Sequence, residues 1–145
     1  MSVIAWDGKT LAADRQATRG GTMTTSVKIF KVDDRLFGLI GPHASSVRLY
    51  NWILSGMNPI SFPKDLETDS DIPIVYVLTR VGHAAKFEDS PYPIIIKDEF
   101  WADGSGGDLA LGAMAMGATA EEAIRVASKY NIYCGCGVDR FSFDE

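Results

Sequence analysis

Residues 1–18 read MSVIAWDGKTLAADRQAT, and the fold turns on how they pair. Ser2 to Trp6 is a short apolar run. Asp7-Gly8 follows, a dipeptide that tolerates the positive φ of a two-residue hairpin turn. Lys9 to Ala13 then returns as a second strand, so a hairpin is predicted that begins at the second residue of the chain. Its second strand runs straight into Asp14, preceded by two alanines. An acid at the point where a chain leaves a sheet ordinarily caps or solvates a turn.

Outward from this hairpin the pattern continues in short pieces. Arg15 to Met23 is polar, contains Gly20-Gly21 and reads as a loop. Val27 to Val32 alternates, Asp33-Asp34 turns, and Leu36 to Ile40 comes back as a second hairpin. After Gly41-Pro42 the period changes, with Val47, Tyr50, Ile53 and Leu54 on one helical face that ends at Gly56. Met57 to Pro73 carries three prolines and is the longest predicted connection. Ile74 to Thr79 and His83 to Phe87 form a third hairpin, and Ile94 to Ile96 and Phe100 to Ala102 are two more short strands.

The segment from Gly104 to Tyr130, GSGGDLALGAMAMGATAEEAIRVASKY, reads as two helices split near Gly117. Thr119 followed by Glu122 is a capping box for the second. A terminal strand is predicted around Arg140 to Phe143. Strand runs alternating with helix runs predict an α+β architecture of two antiparallel sheets with helices outside, in one domain spanning residues 1–145.

Composition narrows the function classes. The chain has 145 residues, 46% of them hydrophobic and 23% charged, as in an ordinary globular protein. A net charge of -5 without a basic stripe argues against nucleic acid as a partner. No apolar run approaches the ~18 residues of a membrane span, and the signature of a signal peptide is missing, which predicts a cytoplasmic location. Cys134 and Cys136 form C-G-C, a spacing that suits neither a zinc site nor a disulfide framework, so reduced thiols and no metal are expected. His43 reads as a solvated residue at a helix start, near a pocket rim at most, and His83 as an exposed strand residue. Trp6, Trp52 and Trp101 read as core and interface, and no cofactor site is visible.

Three features could carry chemistry. If Met1 is removed, Ser2 becomes an N-terminal serine whose hydroxyl sits beside its own α-amine. That amine titrates near ~8, so at neutral pH a useful fraction can take the hydroxyl proton. In VKIFKV the odd spacing puts Lys28 and Lys31 on opposite faces of a strand. One must point inward and needs a carboxylate partner, either as a structural ion pair or as a cation that lowers the pKa of a nearby nucleophile. GSGG at Gly104 to Gly107, between a strand and a helix, could hold an anion on backbone amides, but it matches neither phosphate-loop pattern.

Taken in order, DGKTLAADRQAT, KIFKV with RLFGLIG, the GSGG helices and NIYCGCGVD resemble the proteasome β-subunit and HslV-like family of N-terminal nucleophile (Ntn) hydrolases, nearest its short bacterial or phage proteasome-like members. The resemblance covers the first ~45 and last ~45 residues, where motif order and spacing agree. It implies a four-layer αββα sandwich of two antiparallel sheets. It also implies a peptidase with Ser2 as nucleophile once Met1 is cleaved, the Ser2 α-amine as general base, and Asp14 paired with Lys28 beneath it. Gly38 takes the position of the oxyanion-hole glycine, and Ser105 that of the serine near the amine. Ala17, Thr18, Phe30, Leu36 and Ile40 would line an apolar substrate pocket, where an extended peptide adds as a strand.

The departures are specific. The nucleophile is serine rather than threonine, Asn131 stands where the family usually has aspartate, and Cys134 where serine is common. The first hairpin is about three residues shorter, and the helix after Val47 to Leu54 is missing, which would reduce one helical layer. A homo-oligomeric ring acting on peptide or unfolded protein, with an ATPase unfoldase as a possible partner, is the implied context. Two alternatives stay open: a catalytically silent structural or assembly member, and an amidase acting on small amides.

Overall fold

The hairpin that opens the chain is the centre of the first sheet. The computed structural model describes residues 2–66 and 72–144; Met1 and the middle of the Met57 to Pro73 connection lie outside them. Strands β1 (Val3–Trp6) and β2 (Thr10–Asp14) pair antiparallel with Ile4 opposite Ala13. Their turn is built by Asp7, whose carboxylate accepts the N–H groups of Lys9 (2.9 Å) and Thr10 (2.7 Å). Gly8 supplies the positive φ (96°).

A second hairpin interrupts the segment expected to be a loop. Here β3 (Gln16–Arg19) pairs with β4 (Thr22–Thr25) across Gly20-Gly21. The physical reason is turn chemistry. Both glycines take positive φ (56° and 82°), as a two-residue hairpin turn requires, and β-branched threonines flank them. β4 is exposed along its whole length, so no apolar alternation marks it in the sequence.

Next come β5 (Ile29–Val32) and β6 (Arg35–Ile40), then helix α1 (His43–Leu54), which starts four residues before its first apolar marker at Val47. β7 (Ile74–Thr79), β8 (Ala84–Phe87) and β9 (Ile94–Ile96) follow. The chain continues through β10 (Trp101–Gly104), α2 (Gly107–Ala115), α3 (Ala120–Tyr130) and β11 (Val138–Ser142). The last strand starts two residues earlier than the apolar pattern suggests. The Thr119–Glu122 capping box is present, with bonds of 3.2 and 2.9 Å in the two directions.

The strands form a four-stranded sheet in the order β10-β1-β2-β11, a five-stranded sheet in the order β5-β6-β7-β8-β9, and the small β3-β4 ribbon. Every pairing is antiparallel. Strand alternation divides the core. Val3, Ala5 and Ala12 face α2 and α3, where Ala110, Ala120, Ala123 and Ala127 allow close approach. Their neighbours Ile4 and Leu11 turn the other way and pack with Ile29, Leu36, Tyr76, Leu78 and Trp101 of the second sheet and β10. Phe37, Val75 and Val77 meet Leu49, Trp52 and Ile53 of α1. No helix among the described residues is long and apolar enough to cross a membrane.

Candidate active site

Asp14 ends β2 inside the molecule, fully buried. Its Oδ1 lies 2.6 Å from Lys28 Nζ and accepts the Val3 N–H at 3.1 Å. Its Oδ2 accepts the N–H groups of Gly135 (3.0 Å) and Gln16 (3.2 Å). Lys28 Nζ also donates to the Gln16 carbonyl at 2.6 Å. A buried ion pair repays its desolvation only when further hydrogen bonds satisfy both partners, and here they do. The bonds also tie four chain segments to the carboxylate at the end of β2: β1, the start of β3, the approach to β5, and the loop after α3. The strand parity read from VKIFKV is realised: Lys28 turns inward, while Lys31 reaches the Ser142 carbonyl at 2.8 Å.

Ser2, one residue before β1, is buried and held through its backbone. Its N–H donates to Ser105 Oγ (3.1 Å), and its carbonyl accepts from Ser105 Oγ and the Gly106 N–H, each at 3.2 Å. The GSGG turn is shaped for this contact. Gly104 has φ 100°, and a Cβ there would stand 2.2 Å from the Ser2 carbonyl oxygen. Only glycine lets the turn approach so closely.

Asn131 supports the same turn from α3's end. Its Nδ2 donates to the Ser105 carbonyl at 3.0 Å, while its Oδ1 accepts the Tyr133 N–H at 2.9 Å. The Cys134 sulfur lies 3.7 Å from both Ser105 Oγ and Asn131 Oδ1. Burial pushes the Cys134 thiol above its ordinary range, with the Ser105 hydrogen bond acting in the opposite direction. Ser2, Ser105 and Asn131 are thus bonded to one another, Asp14 is bonded to Lys28, and the two sets meet at the Ser2–Val3 peptide.

A cleft of about 480 Å³ opens beside Ser2. Ala17, Thr18 and Phe30 line it. Leu36 and Ile40 do not: both lie in the core between the two large sheets. Parity is the reason. On β6 the even positions face the first sheet and the odd ones face α1, so it is Leu39 that reaches the cleft.

Gly38 is likewise displaced from the role expected of it. It sits in mid-sheet opposite Ile29 on β5 and Tyr76 on β7, and its missing side chain makes room for Ile4. The Leu39 N–H donates to the Lys28 carbonyl at 2.8 Å, so it faces β5, and the Gly38 N–H by alternation faces β7. Gly41 lines the cleft with φ 98°. The glycine-proline step at Gly41-Pro42 was the available signal. Gln16, His43 and Val47 also line the cleft; His43 stands at the start of α1 and is exposed, as its position suggested.

A larger cleft, about 700 Å³, lies at the opposite end of β1 and β2, lined by the Asp7-Gly8 turn, Arg80 and Phe143. Its main cation is already committed: Arg80 is paired with Asp34 and Asp144, at 3.1 and 2.7 Å. Among the described residues no cluster could hold a metal ion.

No protein-family model and no curated protein matches the sequence. Solved structures do match. HslV from Trypanosoma brucei aligns over 97% of both chains with a TM-score of 0.68 at 21% identity. The fold is similar to that of HslV. Thiobacillus denitrificans BPH aligns over 97% of this chain and 95% of its own, with a TM-score of 0.67 at 20% identity. The same protein in complex with epoxomicin aligns over 97% and 96%, with a TM-score of 0.64 at 19% identity. At such identities the likeness shows a shared HslV-like fold, and a fold by itself does not fix chemistry.

Proposed function

We infer that this chain is a proteasome-like peptidase whose nucleophile is Ser2, made N-terminal by removal of Met1. The observation that carries this reading is the buried Asp14–Lys28 pair, set directly against Val3 and opening on a cleft that Ser2 and Lys28 both line. The neighbouring folds support it, among them a BPH structure that holds epoxomicin.

In this mechanism the freed α-amine takes the Ser2 hydroxyl proton through a water, and the hydroxyl oxygen attacks the scissile carbonyl carbon. Lys28, paired with Asp14 at 2.6 Å, places its ammonium to stabilise the developing alkoxide. The Gly41 N–H, rather than that of Gly38, is the donor to the oxyanion. The amine returns its proton to the leaving nitrogen, the C–N bond breaks, and an ester on Ser2 remains until water hydrolyses it. Ser105 holds the Ser2 nitrogen, and Asn131 holds Ser105.

The substrate is a peptide lying as an added strand beside the cleft. Its apolar side chain enters between Phe30, Leu39, Val27 and Val47. We place the catalytic domain over residues 1–145, as a four-layer αββα sandwich in which α1 alone forms a reduced outer layer, and we place the protein in the cytoplasm. A homo-oligomeric ring, fed by an ATPase unfoldase, is the assembly that the HslV-like fold suggests.

One observation favours a second reading, a catalytically silent assembly member. The neutral Asn131 amide spends its hydrogen bonds on Ser105 and Tyr133, leaving no anionic partner at that position for a protonated amine. Epoxomicin treatment of the purified protein separates the two. A peptidase gains an adduct on Ser2 that Ser2→Ala and Lys28→Ala both abolish, whereas a silent member stays unmodified. A panel of small amides beside peptides then tests amidase activity.

A further inference from the structure

Tyr76 stands on β7 in the apolar core between the two large sheets, with only 4% of its surface exposed. Its ring stacks on Trp101, with centroids 4.3 Å apart and planes 19° from parallel. Packing alone would be served as well by phenylalanine, because a phenol buried here must find a hydrogen-bond partner. The partner is Asp103 on β10 of the other sheet, which accepts the Tyr76 hydroxyl proton on Oδ2. The other carboxylate oxygen, Oδ1, accepts the Gly104 N–H at 2.7 Å.

Asp103 is therefore divided between two tasks. One oxygen is fixed to the facing sheet and the other to the first residue of the turn that clamps Ser2. The place of that turn matters, since the bonds from Ser105 and Gly106 to Ser2 are 3.1 and 3.2 Å. The turn sits so near Ser2 that any side chain at Gly104 would strike the Ser2 carbonyl.

We propose that Tyr76 and Asp103 are positioning residues: their hydrogen bond across the two sheets sets the Gly104–Gly107 turn against Ser2. Burial, and after it the neighbouring Asp103, raises the Tyr76 hydroxyl above its ordinary range, so it remains the donor throughout the neutral range. Lys86, 5.9 Å from the Tyr76 ring centre, is occupied by Glu88 at 3.0 Å and does not compete for Asp103.

The consequence for catalysis rests on the assignment of Ser2 as nucleophile, while the positioning itself does not. Tyr76→Phe keeps the ring stacking and removes only the hydroxyl. Amide hydrogen exchange of the intact protein is the direct test. Exchange at Gly104, Ser105 and Gly106 is expected to accelerate about tenfold or more in Tyr76→Phe, with β1 and β2 unchanged. The rate of Ser2 modification by epoxomicin is expected to fall about tenfold at saturating reagent, with little change in the concentration giving half-maximal rate.

Asp103→Ala is expected to do the same, and the double variant to lose no more than Asp103→Ala alone. Unchanged exchange in the turn of Tyr76→Phe would overturn the proposal, as would independent, multiplying losses in the double variant. Accelerated exchange together with a wild-type Ser2 that never reacts would leave the positioning intact and remove the nucleophile assignment instead.

Discussion

Asp14 shows how much one residue can organise. It receives a lysine and three backbone N–H groups at distances between 2.6 and 3.2 Å. Removing Lys28 would leave that carboxylate buried with an uncompensated charge, so Lys28→Ala should cost about 3–5 kcal/mol in denaturant unfolding as well as abolish labelling. Ser2→Ala should behave differently. The bonds that hold Ser2 run through its backbone, so stability should stay within about 0.5 kcal/mol of wild type while labelling disappears. The thiols give a pH test. Burial raises the Cys134 thiol, so its thiolate forms only above the ordinary thiol range, and native alkylation should strike exposed Cys136 first and reach Cys134 as pH rises. Mass mapping of alkylated peptides against pH checks this; equal rates at neutral pH would contradict it. The inward turn of Lys28 was legible because two lysines at odd spacing cannot share a face. Leu36, Gly38 and Ile40 were misplaced because alternation shows that a strand has two faces, not which of them meets the cleft.

At the scale of elements, caps and turns were legible where a residue pattern has a local mechanism. The Thr119–Glu122 box is one, and Thr119→Ala should destabilise by about 1 kcal/mol. The cap's hydrogen bonds hold Glu122 below the usual carboxylate range. The contribution of the Glu122 carboxylate is therefore fully present above the unfolded carboxylate pKa and fades as pH falls through the lower folded value, so the penalty of Glu122→Ala should shrink in acid. Gly104→Ala should be costlier, more than about 1 kcal/mol, since both its positive φ and the Ser2 carbonyl oppose a side chain. Thermal or denaturant unfolding reads both. The β3–β4 ribbon was illegible for the opposite reason. Its outer strand is solvated on both faces, so no burial pattern records it, and only the Gly20-Gly21 turn betrays it.

For the molecule as a whole, the site exists because elements distant in sequence meet at one end of the first sheet. Ser105 lies 103 positions from Ser2, and Gly135 lies 121 from Asp14. That convergence is a property of topology, so sequence order could suggest it only through resemblance, and structural likeness persists at 20–21% identity. The proposed ring makes a hydrodynamic prediction: in sedimentation velocity the 15.8 kDa chain should run as a discrete multimer, and a monomer at micromolar concentration would count against it. The central claim, that Ser2 attacks as an N-terminal residue, is tested most directly by intact mass and adduct mapping of one sample before and after epoxomicin. The account predicts a mass lacking Met1 and a single adduct on Ser2. A chain that retains Met1, or an adduct on any other residue, would contradict it.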